Sequence, residues 1–292
     1  MNKITLFIAA ILISNISLAQ QNEPVEEKKK EGHYNISKFR QLKQELATPN
    51  TYRTASGAPG HEYYQQKADY KMDIILDDDN QRIYGEDVVT YHNNSPDELE
   101  YLWVQLDQNV RAADAKTNDV RSGGPAMYYK PRQFTQTFLG KRFDGGFKID
   151  YVKDVADKDM DYTINGTMMR IDLPVTLKSG EKTSFKIKWW YNIPNYILDR
   201  GRSGYEHFED GNNNYVIAQF FPRMAVYNDV EGWQTLQVLG RGEFALVFGD
   251  YDVNITTPAD HILDGTGVIT NRKEMLTSKQ WKSYEEALTA YD

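Results

Sequence analysis

From Ala68 onward, apolar and polar side chains alternate with a period of two, which is the pattern of half-buried β-strands. The stretch KADYKMDIILDDDNQRIYGEDVVTYHN predicts two strands joined by a turn at residues 77–80. Turn dipeptides such as Asn165-Gly166 separate the later segments. Further strands are predicted at 99–109, 147–153, 164–173, 183–191, 215–221 and 243–257. The sequence therefore predicts a mainly antiparallel β domain with short flanking helices.

The N-terminal part of the chain differs in composition from this β region. Residues 1–19 predict a cleaved signal peptide, because a lysine precedes an apolar run at Ile4–Ile13 and small residues surround a cleavage site near Ala19. The run is too short to serve as a permanent membrane anchor. Residues 20–60 predict a flexible leader with one short helix at Ile36–Leu46. We therefore expect an exported protein, either periplasmic or secreted.

The final stretch, TSKQWKSYEEALTAYD, predicts a helix. Thr277 or Ser278 is a typical N-cap, and Trp281, Tyr284 and Leu288 share one helical face. No helix-ending Gly or Pro follows, so we expect the sequence to be a piece of a longer polypeptide. The predicted organisation is a signal peptide at 1–19, a leader at 20–60, a β domain at 61–270 and the start of a helical segment at 271–292.

Composition limits the classes of protein to which this chain can belong. The 292 residues include no cysteine, so an exported form cannot use disulfides and depends on an apolar core. The formal net charge of −8 disfavours nucleic acid, because phosphate binding needs clustered Lys and Arg. We therefore expect a β domain with a substantial core and no nucleic-acid partner.

The stretch HEYYQ, residues 61–65, begins like the zinc-peptidase signature H-E-x-x-H but lacks its second histidine. On a helix, two histidines four residues apart can both bind zinc while the glutamate acts as general base. Here the last position is Gln65, a poor zinc ligand, and the stretch follows Pro59 and Gly60. We therefore interpret HEYYQ as a chance similarity.

The remaining polar residues do not form a recognisable catalytic set. The densest cluster of potential ligands is His207 with Glu206, Glu209 and Asp210, but Gly211 and three asparagines follow, which predicts a polar loop. The sequence has no cysteine nucleophile and no Gly-x-Ser-x-Gly elbow. We expect that this chain binds no metal and is not a complete enzyme by itself.

The stretch YVIAQFFPRMAVYNDVEGWQ, residues 215–234, is the most informative polar-aromatic segment. Its proline denies a ladder hydrogen bond, so the strand should end there and place Gln219 and Phe221 at a strand end. Arg223, Tyr227 and Trp233 follow, and a guanidinium with aromatic walls suits peptide recognition. The alternative is that the phenylalanines belong to the core and Trp233 fills a loop.

Three blocks of this sequence resemble one known family. EFALVFGDYDVNITTP is similar to its pattern of an aromatic strand, F-G-D-Y/F-x-V and I-T-x-P, while AQFFPRMAVY is similar to its T-Q-x-E/Q stretch. YKMDIILDDDNQRIYGEDVVTYHNNSPDELEYLWVQL fits its opening strands, so the resemblance covers about residues 65–267 in the same order. The chain thus resembles the N-terminal domain of aminopeptidase N-like (gluzincin) zinc metallopeptidases. This implies twisted, saddle-like antiparallel sheets, or a β-sandwich, beside a thermolysin-like catalytic domain.

The resemblance also implies how the domain would take part in catalysis. In the family, zinc is held by H-E-x-x-H and a more distant Glu, and neither motif is present here. Zinc would therefore belong to the full-length parent, whose partners are its own catalytic domain and a peptide substrate. Gln219 matches the family glutamine, but Phe221 stands where the family usually has a group that binds the substrate's free amine. These two residues are the candidate substrate-binding residues, and none is catalytic.

Three functions follow, in order of preference. The first is the substrate-cleft domain of an exported zinc aminopeptidase, inactive alone. The second is a free-standing periplasmic β-sandwich that binds glycans or peptides through Trp103, Trp189, Trp190 and Trp233. Of these, Trp189 and Trp190 would lie on opposite faces of one strand. The third is a self-contained hydrolase that uses Glu206 and Asp210.

Overall fold

The structure of the chain is a computed structural model that describes residues 49–116, 128, 130–135, 139, 143–199, 202–239 and 245–290. In chain order its strands are β1 (Lys67–Asp77), β2 (Arg82–His92), β3 (Leu99–Gln105), β4 (Lys148–Asp154), β5 (Tyr162–Asn165), β6 (Met168–Leu177), β7 (Lys182–Asn192), β8 (Gly204–His207), β9 (Asn213–Val216), β10 (Arg223–Met224), β11 (Tyr227–Asn228), β12 (Gly232–Trp233) and β13 (Tyr251–Thr256). The helices are a 3₁₀ helix at Asp107–Arg111, α1 (Pro131–Phe134), α2 (Tyr196–Asp199), α3 (Arg272–Met275) and α4 (Ser278–Thr289).

Two sheets carry most of the described strands. The larger has the order β13-β1-β2-β7-β4 and the smaller has the order β10-β3-β6-β5, while β8-β9 and β11-β12 form separate two-stranded ribbons. One buried apolar cluster includes side chains from both sheets, such as Met72 of β1 and Ile171 of β6. The prediction of a mainly β fold with paired sheets is therefore confirmed.

The period-two pattern fixes which side chains enter this core. Along β2, alternate positions from Ile83 to Tyr91 are buried, and β1 pairs with β2 from Lys67↔His92 to Asp77↔Arg82 without a register shift. The predicted turn at 77–80 joins them, with Asn80 N donating to Asp77 Oδ1 at 3.0 Å. A slip of one residue would expose the whole buried set, so the alternation specifies the register.

Trp189 of β7 lies at the centre of the core and is fully buried, whereas Trp190 is half-buried on the other face, as the alternation predicts. The Trp189 ring contacts Phe147 and Tyr191 at centroid distances of 5.3 and 5.9 Å. It also occupies the space beside Gly85 of β2, where an added Cβ would lie 2.2 Å from the indole. The absence of a side chain at Gly85 therefore makes room for this tryptophan.

A carboxylic acid also lies within the core. Asp87 of β2 is fully buried, and its Oδ2 accepts a hydrogen bond from Trp189 Nε1 at 2.8 Å. Its Oδ1 has no hydrogen-bond partner within the described part of the chain. Burial raises the pKa of Asp87 to about 8, against the lowering effect of the tryptophan hydrogen bond. The protonated, neutral form of this side chain therefore predominates at pH 7.

The structure corrects several predicted strand boundaries. The segment predicted as one strand at 164–173 belongs to the β5–β6 hairpin, which turns at Gly166 and Thr167, where Gly166 adopts a positive φ of 59°. The predicted strand at 99–109 ends at Gln105 and continues as the 3₁₀ helix. Of the strand predicted at 215–221, only Tyr215 and Val216 lie in a strand, at the end of β9. Of the strand predicted at 243–257, residues 243 and 244 lie outside the described residues, and the described part forms β13 at Tyr251–Thr256. β13 pairs in parallel with β1, so the sheet is not wholly antiparallel.

The predicted C-terminal helix is confirmed as α4. Thr277 is its N-cap and forms a reciprocal capping box with Gln280, whose backbone N–H donates to Thr277 Oγ1 at 3.3 Å. Trp281 and Tyr284 lie on one face with ring centroids 5.6 Å apart. The predicted signal peptide and the helix at Ile36–Leu46 lie outside the described residues. No helix in the described part of the chain is long and apolar enough to cross a membrane.

Candidate functional site

The strand end predicted to carry Gln219 and Phe221 is a sharp bend of the backbone. Gln219 is exposed and has a left-handed backbone with φ of 52°. This conformation costs a residue with a Cβ about 1–2 kcal/mol. The other described non-glycine residues with positive φ, Gln81 and Asp157, lie in tight turns between paired strand segments. The bend at Gln219 is different because it follows β9 without such a turn.

Two buried polar side chains form hydrogen bonds to the backbone of this bend. Gln108 Nε2, from the 3₁₀ helix, donates to the Gln219 carbonyl at 2.9 Å and to the Ala218 carbonyl at 3.3 Å. Ser203 Oγ donates to the Ala218 carbonyl at 2.6 Å and accepts from the Ala218 N–H at 2.7 Å. We call Gln108 and Ser203 the bend clamp.

Beyond the bend, Arg223 of β10 forms a buried ion pair with Asp107 of the 3₁₀ helix. Their side chains are 8% and 4% exposed. Burial raises the pKa of Asp107, and the Arg223 guanidinium opposes this only in part. The 3₁₀ helix therefore contacts the chain on both sides of Pro222. Gln108 bonds the carbonyls of Ala218 and Gln219 before the proline, and Asp107 pairs with Arg223 after it. Its residues were predicted only as the end of a strand.

The aromatic side chains at the bend form a continuous cluster. The Phe221 ring meets Tyr70 edge-on at a centroid distance of 5.3 Å and Tyr251 at 6.1 Å. Tyr70 and Tyr251 are stacked at 5.0 Å. Phe220 lies 5.1 Å from Phe221. Both phenylalanines are half-buried against the core, which fits the packing alternative, while Phe221 also borders the half-exposed Tyr251.

The apolar surface continues from Tyr251 along β13. Tyr251, Val253 and Ile255 are 49%, 37% and 42% exposed. Their register partners on β1 are Tyr70, Met72 and Ile74, which are at most 4% exposed. Because partners in a parallel pair lie on the same face, these three side chains extend the core face of the sheet beyond the cover of the second sheet. We call Tyr251, Val253 and Ile255 the β13 ledge.

The other segments considered as sites have structural roles. The HEYYQ stretch is a turn followed by irregular chain, not a helix, so His61 and Gln65 do not have the geometry of a zinc helix. His207 ends β8, and its Nδ1 is 2.8 Å from Asn213 Oδ1 across the β8–β9 hairpin. Within the described ranges, no three His, Asp or Glu side chains are grouped to hold a metal ion.

The tryptophans proposed for a glycan or peptide surface are dispersed. Trp189 is fully buried, and Trp233 packs on Tyr91 and Tyr227 with centroids 5.9 and 5.2 Å away. Trp190 is covered by the Arg82 guanidinium at 4.9 Å. These rings do not form a common open platform.

An open depression of about 480 Å³ is lined largely by amides, and several of them are already bonded within the protein. Asn192 Oδ1 accepts from Arg82 Nε and its Nδ2 donates to the Asp144 carbonyl, both at 2.8 Å. Gln81 Nε2 donates to the Asp78 carbonyl. The depression therefore offers a ligand fewer polar groups than its composition suggests.

No protein-family model and no curated protein matches the sequence. Among solved structures, the chain is similar to an M1 zinc metallopeptidase from Deinococcus radiodurans, with 10% identity and a TM-score of 0.38, covering 73% of this chain and 37% of that chain. A variant from that organism bound to a Tyr-Ser-Ala substrate has 10% identity and a TM-score of 0.35 at the same coverage. A two-domain M1 zinc metallopeptidase variant bound to L-tryptophan has 11% identity and a TM-score of 0.34, covering 69% and 35%. The chain spans about a third of the length of these solved chains.

Proposed function

We propose that this chain is the substrate-cleft β domain of an exported zinc aminopeptidase, and that a catalytic domain of the same polypeptide packs on the β13 ledge. Zinc and the attacking water would belong to that catalytic domain, with a glutamate as general base. The chain would contribute Gln219 and Phe221 to the wall of the cleft. The described β domain would correspond to residues 61–270.

The observation that carries this proposal is the uncovered ledge beside the bend. The β13 side chains whose register partners on β1 are buried are themselves 37–49% exposed, and β13 lies at the edge of its sheet. Covering their exposed area would stabilise a domain contact by on the order of a few kcal/mol. Because Tyr251 also contacts Phe221, a domain seated on the ledge would adjoin the bend. A cleft between the two would thus have Gln219 and Phe221 in its wall.

The order of sequence blocks supports the same assignment. The opening strands, the AQFFPRMAVY stretch and FGDYDVNITTP occur in the order seen in aminopeptidase N-like enzymes. In the structure these blocks meet, since β1, the bend and β13 share the aromatic cluster of Tyr70, Phe221 and Tyr251. Residues 181 positions apart in sequence, such as Asp69 and Asp250, are therefore neighbours at the proposed cleft wall.

The test is to read the coding sequence beyond Asp292 and to express the longer polypeptide. We expect an in-frame H-E-x-x-H helix with a downstream Glu, and zinc-dependent hydrolysis of L-leucine p-nitroanilide by the long form only. A stop codon directly after Asp292, or a long form that carries the motif but does not hydrolyse, would refute the proposal.

The ledge contact is tested separately with Val253→Asp in the long form. A carboxylate at a buried domain contact carries a large desolvation cost, so we expect at least a tenfold loss of kcat/KM. Val175→Asp is the matched control, since Val175 is 78% exposed on β6, away from the ledge. Equal effects of the two substitutions would contradict the placement of the catalytic domain.

A further inference from the structure

We propose that Gln108 and Ser203 are positioning residues that hold the left-handed bend so that the Gln219 side chain is presented to a peptide ligand. The inference rests on the proposed cleft role of Gln219 and assigns the residues on which that role depends. Neither residue is adjacent to Gln219 in sequence, since Gln108 is 111 positions away and Ser203 is 15 positions from Ala218.

The hydrogen bonds of the clamp fix the orientation of both of its side chains. Ser203 Oγ both donates to and accepts from Ala218, so its hydroxyl orientation is fixed. Gln108 Nε2 donates to two successive carbonyls, and its Oε1 accepts from Arg111 Nη1 at 3.0 Å, which fixes the amide orientation. Both residues are at most 2% exposed. Buried polar groups with this many partners hold a backbone in one geometry.

The clamped residue, Gln219, is not of a type that favours a left-handed backbone. Glycine adopts a left-handed conformation freely, and asparagine does so more readily than most residues. Glutamine has neither advantage, yet it occupies the position with φ of 52°. Strained backbone that surrounding bonds maintain is concentrated at functional sites. If the bend only reversed the direction of the chain, glycine would adopt its backbone conformation with less strain.

The Gln219 side chain is available to a ligand. Gln219 is exposed, and its amide has no hydrogen-bond partner within the described part of the chain. An amide can accept from an ammonium or N–H and donate to a carbonyl, which are the polar groups of a peptide N-terminus. The clamp bonds only the backbone at the bend, so it fixes the position of the side chain without occupying it.

The experiment uses the isotopically labelled 292-residue chain with Gln108→Leu and Ser203→Ala. Two quantities are measured by NMR: the chemical shifts and couplings that report the Gln219 backbone, and the Kd of L-leucinamide from the Gln219 side-chain amide signal. We expect both variants to lose the left-handed signature of Gln219 and to bind about three- to tenfold more weakly, as for one lost hydrogen bond.

Matched controls separate the clamp from general effects of buried polar groups. Gln66→Leu removes another buried glutamine, whose Nε2 donates to Asn93 Oδ1, and Ser95→Ala removes a buried serine that donates to the same oxygen. These controls should alter neither the Gln219 signature nor the Kd. If they weaken binding as much as the clamp variants, or if the clamp variants keep the left-handed signature, the positioning role is overturned.

A third variant, Gln219→Gly, tests the role of the Gln219 side chain directly and does not require the clamp variants to fold. Glycine should tolerate the bend, so the urea midpoint should not fall, while chemical-shift changes on adding L-leucinamide should disappear from the neighbouring bend residues. A midpoint lowered by this change would overturn the proposal, because the side chain would then be structural. If the unsubstituted chain does not bind L-leucinamide, the proposed role of Gln219 in the cleft is refuted. The NMR signature of the Gln219 backbone in the clamp variants then still tests whether Gln108 and Ser203 hold the bend.

Discussion

Asp87→Asn should make the stability of this protein much less dependent on pH. Asparagine has the shape of the protonated acid, and its oxygen can accept the 2.8 Å hydrogen bond from Trp189 Nε1. The folded state of the unsubstituted chain holds a proton on Asp87 up to a pKa of about 8, mainly because the carboxyl is buried. In the unfolded chain the same group ionises near its ordinary value of 3.8.

The sign and size of the effect follow from this difference in pKa. Since the folded state binds the proton more tightly than the unfolded chain does, protonation of Asp87 contributes to the free energy of unfolding. This contribution is fully present below pH 3.8 and is lost as the pH rises to about 8. Within this window the free energy of unfolding falls by about 1.4 kcal/mol per pH unit relative to the asparagine variant. Between pH 5 and pH 7 the relative loss is therefore about 3 kcal/mol.

The assay is urea unfolding followed by tryptophan fluorescence at pH 5, 6, 7 and 8 for the parent chain and the variant. Asp252→Asn makes the same chemical change at an exposed position of β13 and should leave the pH profile unchanged. A free-energy difference between the parent and Asp87→Asn that stays constant from pH 5 to pH 8 would refute the assignment of a protonated core acid.

Two further substitutions test the packing and the buried charge. Gly85→Ala places a methyl group 2.2 Å from the Trp189 indole, so it should destabilise the fold by about 1–3 kcal/mol in urea unfolding, whereas Gly265→Ala, which meets no atom within 4 Å, should change little. Arg223→Met leaves Asp107 buried without its partner and should cost about 3–5 kcal/mol, while the double variant with Asp107→Leu should recover most of this. Equal losses for the two glycines, or no recovery in the double variant, would contradict these contacts.

Local pattern was sufficient to predict most of the strands. Side-chain alternation is a property of each segment alone, so β1, β2, β4 and β7 were predicted within a few residues, as was α4 from its capping residues. The β5–β6 hairpin was merged into one strand although its Asn-Gly turn was visible in the sequence. The parallel placement of β13 could not be predicted, because it depends on pairing with a strand at the other end of the domain.

The candidate site was predictable only in part. The proline after Phe221 indicated a strand end, but nothing adjacent in the sequence indicated that Gln219 is left-handed. That conformation is imposed by Gln108 and Ser203, whose hydrogen bonds cross 111 and 15 positions. For Gln108 the sequence signal was the run Asp107-Gln108-Asn109, three polar residues directly after an apolar strand, whereas Ser203 had none. A buried polar run of this kind is a reasonable marker of long-range contacts to backbone.

The parallel pairing of β13 with β1 also affects how the protein can be synthesised. Asp250 N–H donates to Asp69 Oδ1 across 181 positions, so the edge of β1 stays open until nearly the whole β domain has left the ribosome. At about 5–20 residues per second, that interval lasts about 10–40 s. An open edge carrying Met72 and Ile74 invites pairing with other chains. Folding of this domain is therefore expected to depend on protection of the nascent chain until β13 emerges.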